Sequence, residues 1–219
     1  MPNISRGFEE LKIAAKKLKD FSKSDVTYPG SYPDWDDFLI HLELCWKKTE
    51  IGFKDIRNKF QPYQGIYTKK RKEDELLSYL YHSRNYVEHN IHLPLTETII
   101  DEKTVIYTKC VFYNSPVEKD KELIVPLFKA KLKLNAIQDI GIYYNPPKFY
   151  LGKILNNGND PIDVGLRGIS FYFNFLNDID KKFNNNSLSP HLVEFWRQLN
   201  INEILKINSN NFLTTKHLE

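Results

Sequence analysis

Residues 74–92 read DELLSYLYHSRNYVEHNIH, and the periodicity of this stretch decides the fold class. At about 100° per residue, Leu76, Leu77, Leu80, Val87 and Ile91 fall within about 100° of one another, the core face of an amphipathic helix rather than the alternation of a strand. His82, Asn85, His89 and His92 follow on a separate polar stripe, with Tyr81 at one edge and Tyr86 at the other. Arg84 lies beside the core face, about 140° around from His89. The pattern predicts a helix from Lys69 to Ile91, ended by Pro94, apolar on one side and carrying titratable groups on the other.

The segments before it are also helical in pattern. Phe8, Leu11, Ala15, Leu18 and Phe21 predict a first helix from Ser5 to Lys23. After the turn-rich connector VTYPGSYP, Pro33-Asp34 opens a second helix with Asp34, Asp36 and Asp37 in its first turn, where the helix dipole favours acids. Its seam runs Phe38, Leu42, Cys45, Thr49, Phe53, Ile56 and Phe60 without interruption, and Gln61 to Thr68, containing Pro62 and Gly65, reads as the break that ends it. Two long helices with a short link most simply form an antiparallel pair.

Beyond Pro94 the character changes. Lys103 to Tyr113 is rich in β-branched and aromatic residues, and in LFKAKLKL (127–134) the lysines 129, 131 and 133 alternate with apolar residues. IGIYYNPPKFYLGKIL (140–155) reads as two strands around a Tyr-Asn-Pro-Pro turn. Helix returns at Asp160-Pro161, an N-cap and N1 pair, with Ile162, Leu166, Ile169, Phe173, Leu176, Ile179 and Phe183 as its stripe. Ser189-Pro190 starts a last helix carrying Leu192, Phe195, Trp196 and Leu199. The expected fold is mainly α with a β insertion (α+β), a single domain over 1–217. Its parts are helices at 1–95, a small antiparallel sheet at 96–156 and C-terminal helices at 157–217, and Leu218-Glu219 reads as a tag scar.

Composition narrows the class. The chain has 219 residues, 41% hydrophobic and 27% charged, enough for one buried core. A net charge of +3 announces neither a nucleic-acid nor a membrane binder. Cys45 and Cys110 are too few for a disulfide framework, and neither a secretory pattern nor a membrane-spanning run is present, so a cytoplasmic setting is expected.

Three readings fit the polar stripe. The bland one is a solvated helix face with an Arg84–Glu88 i,i+4 pair. A metal site needs three or four converging ligands, and His82 lies roughly 10 Å along the axis from His89, so no metal or cofactor is expected. The third is metal-free RNA cleavage, which needs a group titrating near neutrality, a fixed cation against the phosphoryl oxygens, and a polar group holding the imidazole. RNYVEH, residues 84–89, supplies all three residue types.

Arg, then a polar residue, then His late in a long helix of an α-bundle resembles the HEPN superfamily. The resemblance covers roughly residues 33–92, with the helix at 160–183 as a further bundle member. It implies a HEPN-like α-helical bundle, here interrupted by the small sheet, and a metal-independent endoribonuclease of the toxin or defence type acting at a homodimer interface. Carried over, His89 is the acid/base, Arg84 the phosphate-stabilising cation and Asn85 the orienter of the imidazole. His82 and Tyr86 stand outside the motif as possible neighbours. Lys129, Lys131 and Lys133 are candidate phosphate contacts, set against a plainer role in protecting a strand edge. The alternatives are a non-catalytic module partnering an antitoxin, toxin or defence protein, and a small-molecule or metal-dependent enzyme centred on the histidines. No Gly-rich phosphate loop, nucleophile elbow or zinc-protease motif supports the last.

Overall fold

The computed structural model describes residues 3–23, 32–89, 95–107 and 123–184. Among them the chain is mainly helical with small antiparallel β pieces, the α+β class expected. The helices are α1 (Ser5–Lys23), α2 (Pro33–Gly52), α3 (Arg57–Glu73), α4 (Glu75–His89) and α5 (Pro161–Asn184). Between α4 and α5 come β1 (Leu95–Tyr107), β2 (Leu123–Leu134), β3 (Ile137–Asp139), β4 (Ile142–Tyr144), β5 (Phe149–Tyr150) and β6 (Lys153–Ile154). The expected strand residues 108–113, Cys110 and the helix at Ser189 lie outside the described residues.

α1 and α5 follow their stripes. Phe8, Leu11, Ala15, Leu18 and Phe21 are all buried, and Asp160 Oδ1 accepts the Ile162 N–H at 2.8 Å, the cap its position promised. α5 lies close in because it presents glycine at its crossings. A Cβ on Gly165 would sit 2.7 Å from a Leu18 methyl, and one on Gly168 would sit 2.6 Å from a Leu80 methyl. Glu10 of α1 is buried between His41 and Lys48 of α2. Burial pushes its carboxyl up, but the bonds to Lys48 and His41 outweigh that and hold it below its ordinary value.

The structure has three helices where the seam suggested two. α2 ends at Gly52, where the Asn3 N–H donates to the Gly52 carbonyl at 3.2 Å and a Cβ would meet the Asn3 oxygen at 2.1 Å. A 3₁₀ turn, Lys54–Ile56, then swings the chain into α3. Phe53 and Phe60 are buried, but by stacking on each other across this corner with centroids 4.6 Å apart, not as successive turns of one helix. The expected break at 61–68 is helix. Pro62 forgoes one backbone bond early in α3, and burial of Phe60, Gln64 and Tyr67 holds the inner face in place. The real break is Asp74, extended at ψ 129°, whose Oδ1 caps α4 by accepting the Leu77 N–H at 3.0 Å. α4 therefore starts at Glu75 rather than Lys69.

Among the described residues the β region is three separate two-stranded pieces rather than one sheet. β1 and β2 form a long ribbon in register from Leu95↔Leu134 to Tyr107↔Leu123, with a shift between Ile99 and Asp101. Its base, Leu95 and Leu134, is buried in the core. The segment read as one hairpin around Tyr-Asn-Pro-Pro falls in two hairpins, β3–β4 and β5–β6, joined by residues 145–148. Their turns are Ile140-Gly141 and Leu151-Gly152, each with φ 48° then 78°, the I′ geometry that matches strand twist.

Candidate active site

The two hairpins fold back on α4, and the acids at its start hold them. Glu75 Oε2 accepts the Lys148 and Phe149 N–H groups at 2.9 and 3.3 Å, and Asp74 Oδ2 accepts that of Leu151 at 2.5 Å. Further along, the buried Tyr79 hydroxyl donates to the Asn135 carbonyl at 2.7 Å, just before β3. β3 alternates buried, exposed, buried over Ile137, Gln138 and Asp139. A carboxylate in the second buried position is thus delivered onto the polar stripe of α4.

Asp139 is 8% exposed. Its Oδ2 accepts from Asn85 Nδ2 at 3.0 Å and from His82 Nδ1 at 2.7 Å. Where the acid is a carboxylate, which can only accept, the proton of this bond sits on Nδ1, and Nε2 is the imidazole's second polar atom. The ring is stacked on Tyr144 with centroids 3.8 Å apart and 16° between planes, and Tyr81 meets it edge-on at 5.1 Å. On the other side of Asn85, Arg84 Nη1 donates to Oδ1 at 3.2 Å, and Arg84 Nη2 pairs with Glu88. Arg84, Asn85, Asp139 and His82 thus form one continuous hydrogen-bonded chain. The Arg84 Nε is buried with no hydrogen-bond partner among the described residues.

A second cation backs this arrangement. Arg71 of α3 pairs with Glu43 of α2, both nearly buried, and its guanidinium lies 4.3 Å from the Trp46 ring, 5.3 Å from Tyr81 and 5.7 Å from Tyr172. Burial disfavours the Arg71 charge, but Tyr172 and Glu43 more than offset that. Tyr81 therefore touches both Arg71 and the His82 ring.

The residues singled out from sequence are distributed as follows. Arg84 and Asn85 are neighbours in one network. The Asn85 amide, expected to orient His89, is engaged at both ends by Arg84 and Asp139. His82, expected only as a neighbour, is the histidine that the network holds. Tyr86 is half-buried and packs against the core. His89 is the last residue of α4, and its side chain lies outside the described residues, as do those of Lys129 and Lys131. In the ribbon's register Lys129 is opposite Asp101 and Lys131 opposite Thr98, while Lys133 is exposed opposite Thr96. Asp139 and Tyr144 escaped sequence reading. The one available signal was an acid two residues after Ile137 in a short strand, on the same face as that apolar residue.

Comparison with protein-family models, curated proteins and solved structures found no match. The site therefore has to be read from its chemistry. A carboxylate holding one imidazole nitrogen fixes the tautomer and the ring direction. A guanidinium in the same network can bind a phosphate oxygen pair in its fork. Among the described residues, no group of three or more His, Cys, Asp or Glu is gathered to hold a metal, and no helix is long and apolar enough to cross a membrane.

Proposed function

We propose that this protein is a HEPN-like, metal-independent endoribonuclease whose site is completed by a second copy of the chain. The observation that carries the reading is the hydrogen-bonded chain from Arg84 through Asn85 and Asp139 to His82. It joins an arginine and a histidine of one helix through a buried acid, the residue types that this chemistry uses. In this reading Arg84 stabilises charge on the phosphoryl oxygens and His89 moves a proton. The ribose 2′-oxygen attacks the adjacent phosphorus, leaving a 2′,3′-cyclic phosphate and a 5′-hydroxyl. The offset of about 140° between Arg84 and His89 around α4 is what calls for the second copy, since one helix does not aim both at one phosphate.

The test is cleavage of RNA by the purified protein in excess EDTA, with ends analysed for cyclic phosphate. Arg84→Ala and His89→Ala should each lower kcat by roughly 10²–10⁴-fold. Cleavage undiminished in both variants refutes the assignment.

The alternative is a non-catalytic module that binds a toxin or defence protein. The observation favouring it is the apolar surface of the hairpins, where Ile140, Tyr143 and Ile154 are 90%, 70% and 76% exposed. That reading expects no cleavage and a stable hetero-complex lost on substituting those residues.

A further inference from the structure

We propose that the outward face of α3, continued by the β3–β4 hairpin, is a docking track for single-stranded RNA. The inference deepens the nuclease reading and rests on it for one point, that the ligand is RNA. It concerns how the strand is held, not how it is cut.

The charge of the chain is concentrated here. Residues 54–73 hold seven cations against two acids, Asp55 and Glu73. That is +5 in a chain of net charge +3, so the rest of the molecule is net acidic. Arg71 turns inward to Glu43, but the other six cations are exposed. Among the described residues only one of those six, Lys69, has a carboxylate partner, Glu73 at 3.8 Å.

Helix stability does not account for this pattern. A solvated helix face gains from opposite charges three or four residues apart. The helix dipole favours Lys70 and Lys72 in the last turn of α3. It disfavours Arg57 and Lys59 at the other end, where the first turn has no acid.

Two open grooves give the charge a path. One, of about 440 Å³, runs over Gln61, Gly65, Thr68 and Lys72, which are three and four residues apart and so form one stripe of α3. The other, of about 370 Å³, shares Lys72 and Glu73 with the first and continues past Ser78 and Lys148 to Tyr143 and Tyr144. Asp74 and Glu75 also line it, but both accept backbone N–H groups of the second hairpin and its approach. Tyr143 is 70% exposed and offers its ring at the end of a cationic groove. Tyr144 is stacked on His82, so the track ends beside the Arg84 network.

Cations that follow the phosphates and an aromatic ring that takes an unstacked base are how proteins hold single strands. A duplex keeps its bases inside and gives Tyr143 nothing to stack on. An acidic protein segment satisfies the lysines but not the ring.

The experiment measures binding of a labelled, mixed-sequence 2′-O-methyl oligoribonucleotide by fluorescence anisotropy as salt is varied, with folding checked by circular dichroism. The methyl ether removes the attacking hydroxyl, so binding is read without cleavage. Lys69→Gln/Lys72→Gln should flatten the slope of log affinity against log salt by about 1.4 and raise Kd at 0.1 M salt roughly 25-fold. Lys16→Gln/Lys19→Gln on α1 removes the same charge elsewhere and should leave Kd within about twofold. Tyr143→Ala should raise Kd roughly 5–150-fold with the slope unchanged. A wild-type chain that does not bind, or equal losses in the two lysine pairs, overturns the inference. So does equally tight binding of a duplex of the same sequence, or displacement by polyglutamate as readily as by unlabelled RNA. Cleavage of unmodified RNA decides the nuclease reading separately. A chain that binds through α3 and never cuts overturns that reading and leaves the track standing. A chain that cuts with KM unchanged in Lys69→Gln/Lys72→Gln overturns the track alone.

Discussion

The buried pair Arg71–Glu43 allows a quantitative test of what holds the floor of the site. The two side chains are 10% and 9% exposed, and they tie α3 to α2 directly behind Tyr81. Glu43→Leu leaves the guanidinium without its counter-charge in a site with little water. Breaking such a pair from one side costs about 3–5 kcal/mol. The three rings around Arg71 persist in the variant and continue to attract the cation, which argues for the lower end, ~3 kcal/mol. For a domain of this size that corresponds to a fall in Tm of roughly 6–12 °C. Arg71→Met strands the carboxylate instead and should cost a similar amount. In Glu43→Leu/Arg71→Met both charges are gone and the space is filled by apolar groups. The double variant forfeits only the cation–ring attraction, ~1–2 kcal/mol, and should be more stable than either single variant. Urea and thermal denaturation of the four proteins closes the cycle. A Glu43→Leu variant within about 1 kcal/mol of wild type, or a double variant as damaged as the two singles summed, refutes the reasoning.

Two further effects follow from the same contacts. Asp36 sits in the acidic first turn of α2, but its Oδ1 is buried with no partner among the described residues, while Asp34 and Asp37 pair with Lys17. Burial, helped by Asp37, pushes its carboxyl up to about 6 from 3.8. Between those values the folded chain holds a proton that the unfolded chain has released, so stability falls as pH rises across that window. Asp36→Asn should therefore raise Tm above pH 6 and have little effect near pH 4; equal melting of the two proteins at pH 7.5 contradicts this. In the β3–β4 turn, Ile140 stands at φ 48° and 90% exposed, so it carries the cost of a left-handed backbone and buries almost nothing in return. Ile140→Asn gives the Asn-Gly pair that this turn favours and should stabilise by ~1 kcal/mol, read by thermal melting, with slower amide exchange in the hairpin. A neutral or destabilised variant refutes that account.

How much of this was legible in the sequence depends on the range of the interaction that decides each element. α1 and α5 were readable because their own stripes are buried and their ends carry ordinary signals, Asp160-Pro161 above all. The corner at Phe53 was not, because Phe53 and Phe60 keep the phase of the seam while stacking across a bend that the distant Asn3 helps to fix. The Pro62–Gly65 segment failed as a breaker for a related reason. Local propensity there is weaker than the burial of Phe60 and Tyr67 against partners such as Phe183 and Phe175, more than a hundred residues away.

The site divides along the same line. Arg84 and Asn85 could be picked out from RNYVEH, yet nothing within α4 shows that the stripe carrying His82 and Asn85 is covered. It is covered, because two short hairpins with I′ turns carry Asp139 and Tyr144 back onto it, and no periodicity within α4 encodes a strand over fifty residues downstream. That coverage changes which histidine carries the argument. A polar stripe in water favours the residue fitting a motif, His89. A stripe closed by a buried carboxylate favours the residue that the carboxylate holds. His82 is the histidine that the described contacts hold, while the His89 side chain lies outside the described residues, so substitution of His82 tests the site most directly.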